Sequence, residues 1–134
     1  MSKPVRLFAL WGPPLVLMAL IFAFSAMPSD SDKHVWWVFA LRKVAHFSEY
    51  ALLCALWFRA LRPRLSVDGV LRAAVGICVA YAVTDELHQT LVDGRIGTWH
   101  DVVIDTAGAL TAAWLLRRRV RGQSQPRSVA SNTA

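Results

Sequence analysis

The sequence predicts an all-α membrane protein: a four-transmembrane-helix bundle with both the N- and C-termini in the cytoplasm. Three observations predict it. The chain of 134 residues is 55% hydrophobic and only 18% charged, whereas a soluble domain carries about a quarter charged residues. Its apolar runs are separated by short polar segments. Its basic residues divide unevenly between the two ends of those runs. With the N-terminus inside, Lys3, Arg6, Arg59, Arg62, Arg64, Arg72, Arg117, Arg118, Arg119, Arg121 and Arg127 are cytoplasmic. Only Lys33, Arg42, Lys43 and Arg95 are then outside, so 11 of the 15 basic residues are inside, as the positive-inside rule requires. Of the nine acidic residues, only Asp68 then falls inside.

The first uncharged run, Leu7 to Ser29, exceeds the roughly 20 residues needed to cross a bilayer core. Pro13 and Pro14 are expected to kink it or shorten its regular part. A secretory signal is the rival reading, with Lys3 and Arg6 as its basic end and Ala23-Phe24-Ser25 as a cleavage site. The length of the run and its proline pair argue against that. The remaining apolar cores, Tyr50 to Phe58, Ala73 to Thr84 and Thr106 to Leu116, are too short alone. They span when extended to Lys43–Leu61, Val67–Leu87 and His100–Arg118. Lys43, His46, Glu49, Asp85, Glu86, Asp101 and Asp105 then lie in or near the bilayer. Charges at that depth cost about 2.5–3.5 kcal/mol each unless paired or wet.

Tryptophans mark both boundaries. Trp11, Trp57 and Trp114 are expected near the inner ends, and Trp36, Trp37 and Trp99 near the outer ends. Residues 1–121 form the membrane domain, and residues 122–134 are expected to be a disordered cytoplasmic tail. The net charge of +6 does not imply nucleic-acid binding, because the basic residues sit between and after apolar runs. The arginines from Arg117 to Arg121 read as a stop-transfer and anionic-lipid anchor. Cys54 and Cys78 lie inside apolar runs and read as small hydrophobes. No CxxC occurs, and no cofactor is expected.

The costly residues converge. Lys43, His46 and Tyr50 share a helix face at spacings of three and four, with Glu49 beside it. Asp85, Glu86, His88 and Gln89 close the third helix. Asp101, Asp105, Gly108 and Ala112 form one stripe on the fourth, two carboxylates followed by small residues that let helices approach closely. All three groups fall at the same, outer end, and the site is expected to be shallow. The Asp93-Gly94 turn can aim Arg95 at these helix ends. Thr98 is placed to cap the fourth helix, with Asp101 at the capping-box position. His34 is expected on the outer loop surface.

Lys43-Val-Ala-His46-Phe-Ser-Glu-Tyr50 resembles the K-x-x-H-x-x-x-Y motif of the VanZ-like family. Asp85-Glu86-Leu-His88-Gln89 resembles that family's D-E-x-x-Q. Gly94-Arg95 and the stretch from Asp101 through Asp105 to Gly108 resemble its G-R and D-x-x-x-[ND]-x-x-G elements. Asp93 departs from the pattern, standing where proline is common. The resemblance covers Phe24 to Leu116. It implies a bacterial multi-pass protein of the cytoplasmic (inner) membrane, in a family named for a protein linked to teicoplanin resistance, a cell-envelope phenotype.

Several functions fit such a site. In the first, the protein acts on a phosphate-bearing envelope lipid. Lys43 and Arg95 hold the phosphate, and His46 is general acid/base or nucleophile. Glu86 or Asp85 orients His46 or activates water. Asp105 positions a hydroxyl or holds Arg95, while Tyr50, Gln89 and Asp101 complete the binding surface. In the second, the same cleft binds a lipid or glycopeptide head group, a lipid-linked precursor or a partner membrane protein without catalysis. A transport path would need polar residues through the whole bilayer depth, and the inner halves of the spans nearly lack them. A metal site built from His46, Glu49, Asp85 and His88 would face repulsion from Lys43 and Arg95. The purely structural alternative has His46 bridging helices, Lys43 snorkelling and Asp101 capping.

Overall fold

The computed structural model describes residues 3–27, 36–92 and 98–123. These form four helices, α1 (Lys3–Ser25), α2 (Trp36–Leu61), α3 (Val67–Gln89) and α4 (Trp99–Gln123), with no strand among the described residues. Contacts between their ends fix an up-down-up-down order. Arg59 near the end of α2 reaches Ala9 near the start of α1. Arg117 near the end of α4 pairs with Asp68 in the first turn of α3. The parallel helices α2 and α4 share the most extensive contact, α3 packs against both, and α1 lies outside on α2 and α3.

Small side chains explain the tight centre. Ala74, Cys78 and Ala82 on α3 and Ala109, Ala112 and Ala113 on α4 are buried against Tyr50, Leu53, Cys54 and Trp57 of α2. Gly108 matters most. A Cβ there would meet the Phe47 carbonyl oxygen at 2.2 Å, so only glycine lets α4 pass this close to the α2 backbone. Both cysteines are free and buried, as expected for small core hydrophobes.

Among the described residues, large apolar residues are exposed along the helices, and six polar residues are buried beside the apolar core. Phe8, Val16, Val44, Leu87 and Val103 are exposed, whereas Ser25, Asp85, Glu86, Gln89, Asp101 and Asp105 are buried. Apolar residues outside and polar residues inside suit a lipid solvent. Two helical segments, Pro4–Ser25 and Val67–Gln89, are long and apolar enough to cross a membrane. By that measure α2 and α4 contain no stretch that is both long and apolar enough.

Several expectations need correction. The proline pair does not shorten α1, which continues through Pro13 and Pro14. Pro13 has no N–H to offer the Ala9 carbonyl. Arg59 Nη2 supplies that hydrogen bond instead, at 2.6 Å. α2 begins at Trp36, a full two turns before Lys43, because the Trp-Trp-Val-Phe-Ala-Leu stretch is apolar enough to continue the helix. Lys43 is therefore about 10 Å along the helix from its start and His46 about 15 Å. Trp57 lies one turn from the end of α2 and faces the bundle. It is buried edge-on against Trp11, with ring centroids 5.5 Å apart. Trp36, Trp99 and Trp114 are exposed, and Arg118 stacks over Trp114 at 3.9 Å. α4 extends to Gln123, two residues into the segment read as tail.

Candidate functional site

The end of the bundle where α1 and α3 finish and α2 and α4 begin gathers Lys43, His46, Glu49, Asp85, Glu86, Asp101 and Asp105. Two facing pairs link α2 to α4. Lys43 Nζ forms an ion pair with Asp101. One helical turn further along, His46 Nδ1 lies 3.3 Å from Asp105 Oδ1, an ion-pair approach in which neither atom makes a hydrogen bond among the described residues. The spacing explains the match. Lys43 and His46 are three apart on α2, and Asp101 and Asp105 four apart on α4, so both pairs rise along one seam. Gly108, one turn further and against Phe47, sets the separation of that seam.

A second cluster ties α3 to α1. Ser25 Oγ donates to Asp85 Oδ2 at 2.8 Å. Gln89 Nε2 donates to the same oxygen at 3.0 Å. A third contact fixes the start of α4, where the Thr98 backbone N–H donates to Glu86 Oε2 at 2.7 Å. Thr98 Oγ1 donates to Asp101 Oδ2 at 3.2 Å. This differs from the expected capping box. Asp101 is one methylene shorter than glutamate and is engaged by Lys43, so Glu86 of α3 takes the N-cap amide.

The roles expected for the carboxylates change accordingly. The group beside His46 is Asp105, not Glu86 or Asp85, because the glycine contact draws α4 rather than α3 against this part of α2. His88 stacks on Phe22, with ring centroids 4.1 Å apart, and not into the seam. Tyr50 is fully buried on the His46 face of α2. Its hydroxyl, both Asp105 oxygens, Asp85 Oδ1 and Glu86 Oε1 have no hydrogen-bond partner among the described residues. Buried polar atoms of this kind are few in folded proteins and each calls for an explanation. No three His, Cys, Asp or Glu residues among those described are grouped to hold a metal ion, so His46, Glu49, Asp85 and His88 do not form the ligand set considered above. Arg95, Asp93, Gly94 and His34 lie outside the described residues.

A cavity of about 340 Å³ opens between α1 and α2, lined by Ile21, Ser25, Arg42, His46 and Glu49 among others. His46 thus faces a buried carboxylate on one side and open space on the other. Ser25 and Arg42 were not among the sequence candidates. A lone serine at the end of an apolar run carries no visible signal, and Arg42 differs from any surface arginine only through its position beside the cavity.

A family model described as VanZ/LLP1 matches residues 10–120. The chain belongs to the VanZ/LLP1 family. The match is wider than the stretch that carries the motif resemblance, extending into α1 and to the last turns of α4. Comparisons with curated proteins and with solved structures find no match. VanZ-like membership suggests a cell-envelope or resistance-associated protein, and together with the two apolar helices a membrane protein. Four residues of the VanZ-like motifs, Lys43, His46, Asp101 and Asp105, are the four that make the paired seam.

Proposed function

We propose that the chain is a four-span protein of the bacterial cytoplasmic membrane, both termini inside, that acts on a phosphate-bearing envelope lipid at the outer face. Residues 1–121 supply the membrane domain and the remainder a cytoplasmic tail. The observation that carries the reading is the position of His46, with Nδ1 turned to buried Asp105 and the ring lining the α1–α2 cavity. The buried carboxylate 3.3 Å from Nδ1 favours positive charge on the ring at that side and leaves the other nitrogen for a ligand. His46 then takes or gives the proton at the reacting oxygen, a contribution worth about 10²–10⁴-fold in rate. Arg42, at the same cavity, supplies positive charge for the phosphate, and Lys43 adds charge from the neighbouring turn. A lateral opening between α1 and α2 suits a substrate whose acyl or prenyl chains stay in the bilayer.

The test is turnover by the purified protein in vesicles containing lipid phosphomonoesters and diphosphates. Wild type is expected to consume one of them, and His46→Ala, still folded and inserted, to lose at least about 10²-fold. Turnover by His46→Ala at the wild-type rate would remove His46 from the chemistry.

A second reading has its own support. Lys43 and Asp101 are paired to each other, and Asp85 is held by Ser25 and Gln89. Residues engaged in this way build a rigid receptor for a lipid or glycopeptide head group, or for a partner membrane protein, and modulate envelope assembly or glycopeptide resistance without catalysis. Binding of a lipid phosphate at constant mass would select this reading.

A further inference from the structure

At the opposite end of the bundle, a groove of about 660 Å³ runs between α3 and α4, within the roughly 300–1,000 Å³ range of small-molecule sites. Its floor is apolar and shallow: Val75 and Gly76 on α3, Leu110 and Ala113 on α4. A Cβ built on Gly76 meets nothing within 4 Å, so the glycine widens the groove and makes no close helix contact. Its mouth is charged. Asp68 and Arg72 sit one turn apart on α3, and Arg117 projects from α4 with its guanidinium 3.2 Å from Asp68. Arg118 flanks the mouth, stacked over the exposed ring of Trp114, which also lines the groove.

We propose that this α3–α4 groove is a binding site for an anionic phospholipid, with one acyl chain along Val75, Gly76, Leu110 and Ala113 and the phosphate at Arg72 and Arg117. Charge complementarity carries it. Two guanidiniums face one carboxylate at the mouth, and Asp68 and Arg117 are both about half exposed, so their mutual pair is weak and a phosphate can compete for Arg117. The chain continues from Arg117 into Arg118, Arg119 and Arg121, which adds to the positive potential. A groove between helices with basic residues at its mouth is the arrangement that holds acidic lipid head groups. With the orientation proposed above, the site opens to the cytoplasmic leaflet. The proposal does not depend on the outer site or its chemistry.

The test is native mass spectrometry of the full chain released from vesicles of phosphatidylglycerol and phosphatidylcholine in equal amounts. Wild type is expected to retain phosphatidylglycerol in preference to phosphatidylcholine. Arg72→Gln should reduce that preference about fivefold, the equivalent of about 1 kcal/mol for one arginine near the surface. Asp68→Asn should raise it by releasing Arg117. Gly76→Leu puts a side chain into the groove from a position where the added Cβ meets nothing within 4 Å, and should abolish retention while thermal stability is kept. Equal retention of both lipids by wild type, or undiminished retention by Gly76→Leu, would overturn the proposal.

Discussion

Gly108→Ala is expected to destabilise the bundle and disable the outer site together. In an ordinary helix the change would be favourable by roughly 0.5–1 kcal/mol, because alanine orders at less entropic cost. Here the new Cβ would lie 2.2 Å from the Phe47 carbonyl oxygen and 3.0 Å from its carbon. Both are backbone atoms inside α2, so no side-chain rotation relieves the clash. To restore ordinary contact, α4 must move away by about 1 Å at this point. Overpacking of that kind costs about 1–3 kcal/mol, which outweighs the helical gain. The shift occurs one turn from His46–Asp105, and a displacement of about 1 Å can cost about 10²-fold in a positioned reaction. Gly76→Ala is the control, since its Cβ meets open space, and it should stabilise by about 0.4–1 kcal/mol. Thermal unfolding of the detergent-solubilised variants reads the two signs. If Gly108→Ala proves as stable as Gly76→Ala, the close α2–α4 contact is not as described, and the reasoning that places the seam fails.

Three other outcomes are expected. Lys43→Met leaves Asp101 buried without its cation and should cost about 2 kcal/mol, partly recovered by adding Asp101→Leu; a double-mutant cycle measures the coupling. Arg59→Leu should destabilise by about 1 kcal/mol through the Ala9 carbonyl, and Pro13→Ala, which restores the helical donor, should remove most of that loss in thermal unfolding of the double variant. For the four-span orientation, Thr90→Cys should react with a membrane-impermeant maleimide from outside intact cells, and Gln123→Cys only after permeabilisation. The native cysteines are buried and should stay unlabelled.

Much of this arrangement was legible in the sequence because helical spacing is local. Asp101, Asp105, Gly108 and Ala112 fall three and four apart, and all four are buried in the bundle. Asp85 and Gln89, four apart, bond each other. What spacing does not give is which helix faces which. His46 could have met a carboxylate from α3 or α4, and a single close approach at Gly108 decides for Asp105. The span drawn from the apolar core stops at Lys43 because Arg42 and Lys43 are charged, whereas the helix continues back to Trp36 and Lys43 is paired inside the bundle. Ser25 was hidden for the opposite reason: its partner, Asp85, is 60 residues away. Arg59 is a basic residue at an inner boundary by sequence, and only the fold reveals it as the donor to a proline-freed carbonyl.

His46, beside buried Asp105, is proposed to act catalytically on an envelope lipid. Lipid profiling of cells that lack the protein, complemented with wild type, His46→Ala or Asp105→Asn, tests this most directly. One phosphate-bearing lipid is expected to accumulate in the deletion strain, to return to its normal level with wild type, and to stay elevated with either variant despite normal membrane insertion. Correction of the profile by His46→Ala as fully as by wild type, or a profile unchanged by the deletion, would contradict it.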